Sequence, residues 1–421
     1  MKISNVSLAR DSSVVRASAR IAWEDSAREP IVLRFEADAH GADDMEATPE
    51  AFLAACTLPA MRFGERRVAI EGSVCPRLAG GLGRAIALLR EFFGPPRRPV
   101  AIEPSEGFRE PWRRPADRTA MFFTGGIDSR HMLLTHRRES PAGRAGAIED
   151  ALSTFGHLCP TIDATSSWNT RVVPVLAAAA QERGLTFAAV RSNVWELAPE
   201  VEFVAEESLS SALAASAHLF ARRYTRILKA SSREAPRVIR SRLQAQMDPL
   251  FSSSAVEFVH VPSPATRFER LAAIAAEPPG VEDLVVCLAF PGAERLNCGE
   301  CEKCVRTMTA LEAVGRLDEA GRFPRGALSA DAIRRVAIGP YDVGYWSEVL
   351  PALQARGRED LAGIIRQKLV TARREAEWHA HEGWKGMLRR FDRRYLEGRL
   401  LELSRRLKRG TGRGAGEGEP A

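Results

Sequence analysis

Alternating apolar and polar positions near the start of the chain predict a small antiparallel sheet. The alternation covers residues 18–23 and 30–36, and a period of two is typical of half-buried strands. Apolar segments with helical spacing follow at residues 51–60 and 80–93. We therefore predict an α+β accessory domain over residues 1–115.

The pattern changes after the proline- and arginine-rich stretch 94–118, which predicts a linker. Short apolar runs then alternate with helical segments. The predicted strands are 121–124, 151–155, 185–190, 226–230 and 284–288, with helices at about 129–138, 170–183, 206–223 and 264–276. This alternation predicts an α/β domain over residues 116–320 with a mostly parallel open sheet. Ligands of such sheets bind beyond the carboxyl ends of the strands.

The last part of the chain predicts helices and then a tail. Apolar residues recur at helical spacing over residues 384–408, typical of a helix that packs on its own domain or on a partner helix. We assign residues 321–409 to a helical C-terminal extension. The glycine-rich segment 410–421 predicts a disordered tail.

Composition restricts the possible functions but does not identify one. The chain has 421 residues, 45% hydrophobic, and a net charge of +6, which permits a nucleotide or tRNA as partner without indicating either. No apolar run reaches the length of a membrane span and no secretion signal is visible, so we expect a cytoplasmic protein. Cys56, Cys75 and Cys159 lie in apolar surroundings and are expected in the core.

The most informative motif follows the apolar run 120–123. It is the loop Thr124-Gly125-Gly126-Ile127-Asp128-Ser129. Glycines let backbone N–H groups approach an anion, and a helix that begins here adds unpaired N–H groups and its positive dipole end. The hydroxyls of Thr124 and Ser129 add two donors, while Asp128 would repel phosphate and is expected to hold magnesium, a water or the loop itself. A tight turn with a helix N-cap is the structural alternative.

A second motif combines four cysteines, Cys287, Cys298, Cys301 and Cys304. The last three are separated by two residues each and precede a predicted helix at 305–314, while the first lies in the predicted strand 284–288. Four thiolates form the closed tetrahedral set of structural zinc. A redox pair and an iron–sulfur cluster remain the alternatives.

The loop resembles the Ser-Gly-Gly-x-Asp-Ser motif of the PP-loop ATP pyrophosphatases, with Thr124 in place of the first serine. Together with the cysteine motif, it makes residues 118–316 similar to the 7-cyano-7-deazaguanine synthase family. Residues 1–115 and those after 320 have no counterpart in a minimal synthase. The resemblance implies an adenine nucleotide α-hydrolase-like fold, a zinc knuckle, and cleavage of ATP between its α and β phosphates.

Further candidates follow from the expected geometry. Ser192 and Asn193 come after a predicted strand and are candidates to contact nucleotide or substrate, or to cap a turn. Arg306 follows the last cysteine and either points toward pyrophosphate or is a solvated helix residue. Residues 248–254, with one proline and three consecutive serines, predict a loop over the substrate.

We expect an enzyme that adenylates a carboxylate or amide with release of pyrophosphate and then transfers nitrogen. Its ATP-binding residues would be the six loop residues, Ser192, Asn193 and Arg306, with Asp128 and Ser129 as the catalytic candidates; its cofactors would be ATP, Mg²⁺ and Zn²⁺. The acceptor is unidentified, and a peptide, a protein, tRNA and a homo-oligomeric assembly stay open. A tRNA-thiolating enzyme and a non-catalytic nucleotide-binding zinc scaffold are the alternatives.

Overall fold

One ten-stranded sheet organises the larger of two compact units, Met1–Leu328. The structure is a computed structural model. It describes residues 1–38, 41–110, 118–156, 162–231, 239–287, 296–339 and 342–379, together with residues 392, 396, 399 and 400. The strands are β1 Lys2–Arg10, β2 Val14–Ala22, β3 Ile31–Asp38, β4 Arg67–Ile70, β5 Ala101–Pro104, β6 Thr119–Phe122, β7 Ile148–Phe155, β8 Thr186–Ser192, β9 Arg226–Ala230 and β10 Glu257–Val261.

The helices of this unit cover both faces of the sheet. They are α1 Pro49–Arg62, α2 Pro76–Phe93, α3 Ile127–Glu139, α4 Ile162–Glu182, α5 Val201–Phe203, α6 Leu209–His218, α7 Ile239–Met247, α8 Arg267–Ala275 and α9 Glu302–Val314. Alternate residues of β6 enter different cores, as the period of a strand requires: Met121 packs in the core with α3 and α4, and Phe122 in the core with α1, α2 and α6.

The strand order is β10-β9-β6-β7-β8-β3-β2-β1-β4-β5. The five strands from β10 to β8 are parallel to one another, which confirms the predicted α/β class with a mostly parallel sheet. β6 lies between β7 and β9, so the chain leaves it in one direction along the sheet and later returns on the other side. Such a switch point opens a crevice at the carboxyl end of the strand.

The first five strands continue the same sheet. β3 pairs antiparallel with β8, β2 with β3 and β1 with β2, whereas β4 and β5 extend the sheet in parallel pairing. The strands on either side of the predicted boundary at residues 115/116 thus belong to one sheet. The predicted linker 94–118 contains β5, because this short segment pairs its backbone with β4.

Further differences from the sequence prediction concern strands, since β1, β4 and β10 were not predicted. Residues 284–287 of the predicted strand 284–288 are irregular, because the N–H groups of residues 285–287 bond to a loop carbonyl and to an asparagine side chain. The edge strand β10, which the sequence analysis did not predict, pairs with β9.

The smaller unit, Ser329–Ala421, is helical where it is described. Its helices are α10 Ala330–Arg335, α11 Val343–Glu348, α12 Leu350–Ala355 and α13 Glu359–His379. The three short helices pack against α13. The predicted helix 384–408 lies outside the described residues except for a few positions, and the tail 410–421 and Cys159 lie entirely outside them. No helix among the described residues is long and apolar enough to cross a membrane.

Candidate functional site

The glycine-rich loop connects β6 to α3 at the switch point of the sheet. The hydroxyl oxygens of Thr124 and Ser129 lie 3.4 Å apart, and Thr124 Oγ1 also accepts from the Gly126 N–H at 3.3 Å. Gly126 is the N-cap of α3 and no side chain caps the helix. Ser129 is buried and its Oγ donates to the Gly126 carbonyl at 3.1 Å, whereas Thr124 is exposed. The two hydroxyls lie beside the positive end of a helix dipole, an arrangement suited to an anion.

Gly125 has to be a glycine in this loop. Its φ is +68°, and a Cβ there would lie 2.4 Å from Leu176 Cδ2 of α4. The left-handed backbone favours glycine, and a larger residue would also require the Leu176 side chain to shift. The sequence motif thus corresponds to a real steric requirement.

The loop is fastened to the irregular segment that follows α8. The Gly125 carbonyl accepts from Val285 N–H at 3.2 Å and from Arg130 Nε at 2.8 Å. Arg130, buried on α3, also donates to the carbonyls of Gly280 and Asp283 and pairs with the Asp283 carboxylate. These contacts fix the loop against the chain that leads to the cysteine cluster.

Asp128 is held by two arginines of α8. Its Oδ2 accepts from Arg267 Nη1 at 2.7 Å and its Oδ1 from Arg270 Nη1 at 2.8 Å. Arg270 is only 2% exposed and also donates to the carbonyls of Ser231 and Ala265. Of the roles expected for Asp128, this geometry matches the one of holding the loop.

The first turns of α9 carry two more cations, of which Lys303 interacts with Asp128. Lys303 lies among the charges of Arg267, Arg306 and Asp128; burial first, then the two arginines, lower the pKa of its ammonium to about 8. Arg306 is buried, with Nη1 3.3 Å from Glu302 Oε1. Arg306 is therefore not a solvated helix residue, and its contact with pyrophosphate stays a prediction.

The four predicted cysteines converge. Their sulfur atoms all lie within 4.8 Å of one another, with Cys287 Sγ 3.8 Å from Cys301 Sγ and Cys298 Sγ 3.8 Å from Cys304 Sγ. Tetrahedral zinc with Zn–S bonds of about 2.3 Å requires S···S separations of about 3.8 Å. The cluster could hold a zinc ion, and sulfurs this close leave no room for a cluster of several irons.

Neighbouring groups support the cysteines. Asn297, fully buried, accepts from the N–H groups of Val286 and Cys287 and donates to the Leu284 carbonyl at 2.8 Å. Cys298 Sγ accepts from the N–H groups of residues 300 and 301 at 3.4 and 3.3 Å, bonds that stabilise a thiolate. Cys287 is thus positioned by an amide side chain rather than by the predicted strand.

Ser192 and Asn193 lie at the carboxyl end of β8, as expected, but their side chains bond within the protein. Ser192 Oγ donates to the Phe155 carbonyl at 3.2 Å. The Asn193 amide accepts from Arg34 N–H at 2.7 Å and donates to the Val32 carbonyl and to Glu196. The Ser192 bond joins β8 to β7, and the Asn193 bonds join the end of β8 to β3. A nucleotide contact for either residue stays a prediction.

Sequence reasoning missed several residues of this region, among them Arg267, Arg270, Asn297 and Lys303. The capping box that begins α8 at Thr266 was visible as Thr-x-x-Glu and would have placed both arginines in the first turns of a helix. Asn297 and Lys303 directly adjoin cysteine ligands, and that adjacency was their only sequence signal.

Comparisons with protein-family models, with curated proteins and with solved structures found no match to this chain.

Proposed function

We propose that this chain is an AMP-forming ATP pyrophosphatase of the PP-loop type, which adenylates a carboxylate or amide and then transfers nitrogen to it. One observation carries the proposal: a loop with two facing hydroxyls and an uncapped helix follows the strand at the switch point, beside cations of α8 and α9. Polyphosphate needs donors and positive charge of this kind.

The residues would act mainly by binding and orientation. Loop N–H groups and the hydroxyls of Thr124 and Ser129 would hold the β and γ phosphates, and Arg267, Lys303 and Arg306 would offset their charge. A substrate oxygen would attack the α phosphorus, the bond to the β phosphate would break, and pyrophosphate would leave. Positioning and electrostatic stabilisation account for most of the rate in phosphoryl transfer.

Magnesium does not fit Asp128 in this arrangement. Both carboxylate oxygens accept from guanidinium groups, so Asp128 orients the arginines and fastens α3 to α8. Magnesium would enter with ATP as its complex.

Zinc fits the cysteine cluster, where it would be held by Cys287, Cys298, Cys301 and Cys304. A closed set of four thiolates leaves no coordination position for water or substrate, so bound zinc would stabilise the fold around α9.

A nucleotide-binding protein without turnover is the second candidate. The pairing of Asp128 with two arginines favours this second candidate. A carboxylate that is bound by two guanidinium groups acts as a structural element of a binding site and not as a reacting group. In either case the ligand is ATP. The proposal leaves the class of acceptor open: a small carboxylate, a peptide, a protein or tRNA. It also leaves the assembly state of the chain open.

The test uses metal-loaded protein with Mg–ATP and ammonium, while carboxylated deazapurines, peptides and tRNA are screened as acceptors. We expect equal amounts of AMP and pyrophosphate with one acceptor class. Ser129→Ala should lower this rate about 100-fold, because one donor to developing charge is lost. Ser140→Ala, at the other end of α3, is the matched control and should stay near wild type. ATP binding without AMP would select the non-catalytic candidate.

A further inference from the structure

A buried network of ionisable side chains lies beyond the loop, on the neighbouring strands β9 and β10. Lys229 Nζ donates to both oxygens of Asp248, at 3.1 and 2.9 Å, and to Ser210 Oγ at 2.9 Å. His260 Nδ1 lies 2.7 Å from Asp248 Oδ2. Asp248 is fully buried, whereas Lys229 and His260 keep 10% and 8% of their side chains exposed.

The position of Asp248 corrects a sequence prediction. Residues 248–254 were expected to form a loop over the substrate, but residues 248–251 form a short 3₁₀ helix and Asp248, Phe251, Ser252 and Ser253 are buried. The serine hydroxyls accept from backbone N–H groups of residues 255, 256 and 258. This segment therefore delivers a carboxylate to the interior beside the carboxyl ends of β9 and β10.

A chain of hydrogen bonds connects the ends of β9 and β10, beside this network, to the loop. Ser231 N–H, just after β9, donates to the carbonyl of Val261, the last residue of β10, at 3.0 Å. Arg270 Nη1 donates to the Ser231 carbonyl at 2.7 Å and to Asp128 at 2.8 Å. Lys229 and His260 each lie two residues or fewer from these strand ends, so they approach the crevice edge where the loop also lies.

The hydrogen bond to Asp248 determines which ring nitrogen of His260 carries the proton. A neutral ring that donates from Nδ1 carries its lone pair on Nε2, and a carboxylate partner fixes this tautomer and the orientation of the ring. No other described residue forms a hydrogen bond with the ring. Burial opposes ionisation of Asp248, but Lys229 and His260 outweigh it and hold the pKa of the carboxyl below its ordinary value. Asp248 therefore stays ionised and available to orient the histidine.

The fold alone does not require such a network. A buried ion pair is often no more stabilising than well-packed hydrophobic side chains of the same size. An Asp–His pair whose second ring nitrogen is available is, in contrast, the usual arrangement of a general base.

We propose that His260 is the general base that deprotonates the amine nucleophile, with Asp248 and Lys229 as positioning residues. This inference rests on the proposed function. One proton of ammonium passes to Nε2, and the resulting ammonia attacks the carbon of the adenylated acceptor. The new C–N bond forms, the C–O bond to AMP breaks, and the second proton is released to water.

The test compares two amines in His260→Gln. Ammonia is mostly protonated at neutral pH and needs the base, whereas hydroxylamine is already neutral and does not. With the acceptor found in the screen, we expect ammonium-supported AMP formation to fall about 100-fold or more, while the hydroxylamine-supported rate stays within about threefold of wild type.

The control is His136→Gln in the last turn of α3, near Arg226 at the beginning of β9, and it should leave both rates unchanged. Thermal unfolding of each variant reports whether the fold is kept. An equal fall with both amines, or no fall with either, would overturn the role of His260 and leave the proposed function intact. A wild-type protein that forms no AMP with either amine would refute the proposed function and, with it, the role of His260 as the general base.

Discussion

The cysteine cluster and the glycine-rich loop are neighbours in the fold, since Val285 bonds to the loop two residues before Cys287. They differ in whether their functional groups already have partners within the protein. In the cluster, four sulfur atoms converge to the spacing of one tetrahedral ion. In the loop, the charged residue is already bound by two arginines and the glycine carbonyl by two donors. We therefore expect the stability of the cluster to depend on a bound metal ion, whereas the shape of the loop is held by contacts within the protein.

The largest effect should come from the cluster. Cys304→Ser removes a buried ligand, so we expect loss of bound zinc and destabilisation by roughly 5 kcal/mol or more, because metal binding contributes directly to folding. Elemental analysis and denaturant unfolding measure both effects. Cys56→Ala, at a buried cysteine of α1, should keep its full metal content; equal metal content in Cys304→Ser would contradict the assignment.

Asp128→Asn should have the next largest effect. It leaves the buried guanidinium of Arg270 without its ionic partner, and we expect a loss of about 3 kcal/mol in unfolding free energy. The matched change is Asp38→Asn, whose pair with Arg191 is mostly exposed and should contribute less than about 1 kcal/mol. Similar stabilities for the two variants would show that the arginine pair does not hold the loop.

Gly125→Ala should cost about 2 kcal/mol and weaken ATP binding, because it adds strain at positive φ and a clash with Leu176. Gly143→Ala shares the positive φ, at +78°, but a Cβ there meets no atom within 4 Å. It should cost about 1 kcal/mol and leave ATP binding unchanged. Calorimetric titration with ATP separates the two variants, and unchanged affinity in Gly125→Ala would argue against a phosphate loop.

Asn193→Ala should have the smallest effect. It removes the amide that bridges β8 and β3, so we expect a loss of about 1 to 2 kcal/mol in stability with ATP affinity unchanged. A weakened ATP affinity at full stability would instead support the nucleotide contact predicted from the sequence.

Much of the parallel half of the sheet was predictable because short apolar runs alternate with helical segments between residues 119 and 230. The segment 284–288 shows the limit of that reasoning. Its described residues, 284–287, are buried, but the Asn297 amide and the Gly125 carbonyl take the bonds that a neighbouring strand would provide. Periodicity alone cannot distinguish a buried irregular segment from a buried strand.

The residues of the candidate site also fall into those that the sequence identified and those that it did not. Close spacing in sequence identified the loop and three of the cysteines, because their geometry is local. The roles of Arg270 and Asp248 depend on contacts between segments that are distant in sequence. Arg270 contacts Asp128, and Asp248 contacts Lys229 and His260. No spacing rule connects such residues before the sheet brings β6, β9 and β10 together.

The most direct test of the account is the position at which ATP is cleaved. Metal-loaded wild-type protein is incubated with the acceptor screen and ATP labelled at the α phosphate, and the labelled products are separated. We expect labelled AMP, formed in step with pyrophosphate and greatly reduced in Ser129→Ala. Labelled ADP with release of inorganic phosphate would contradict it.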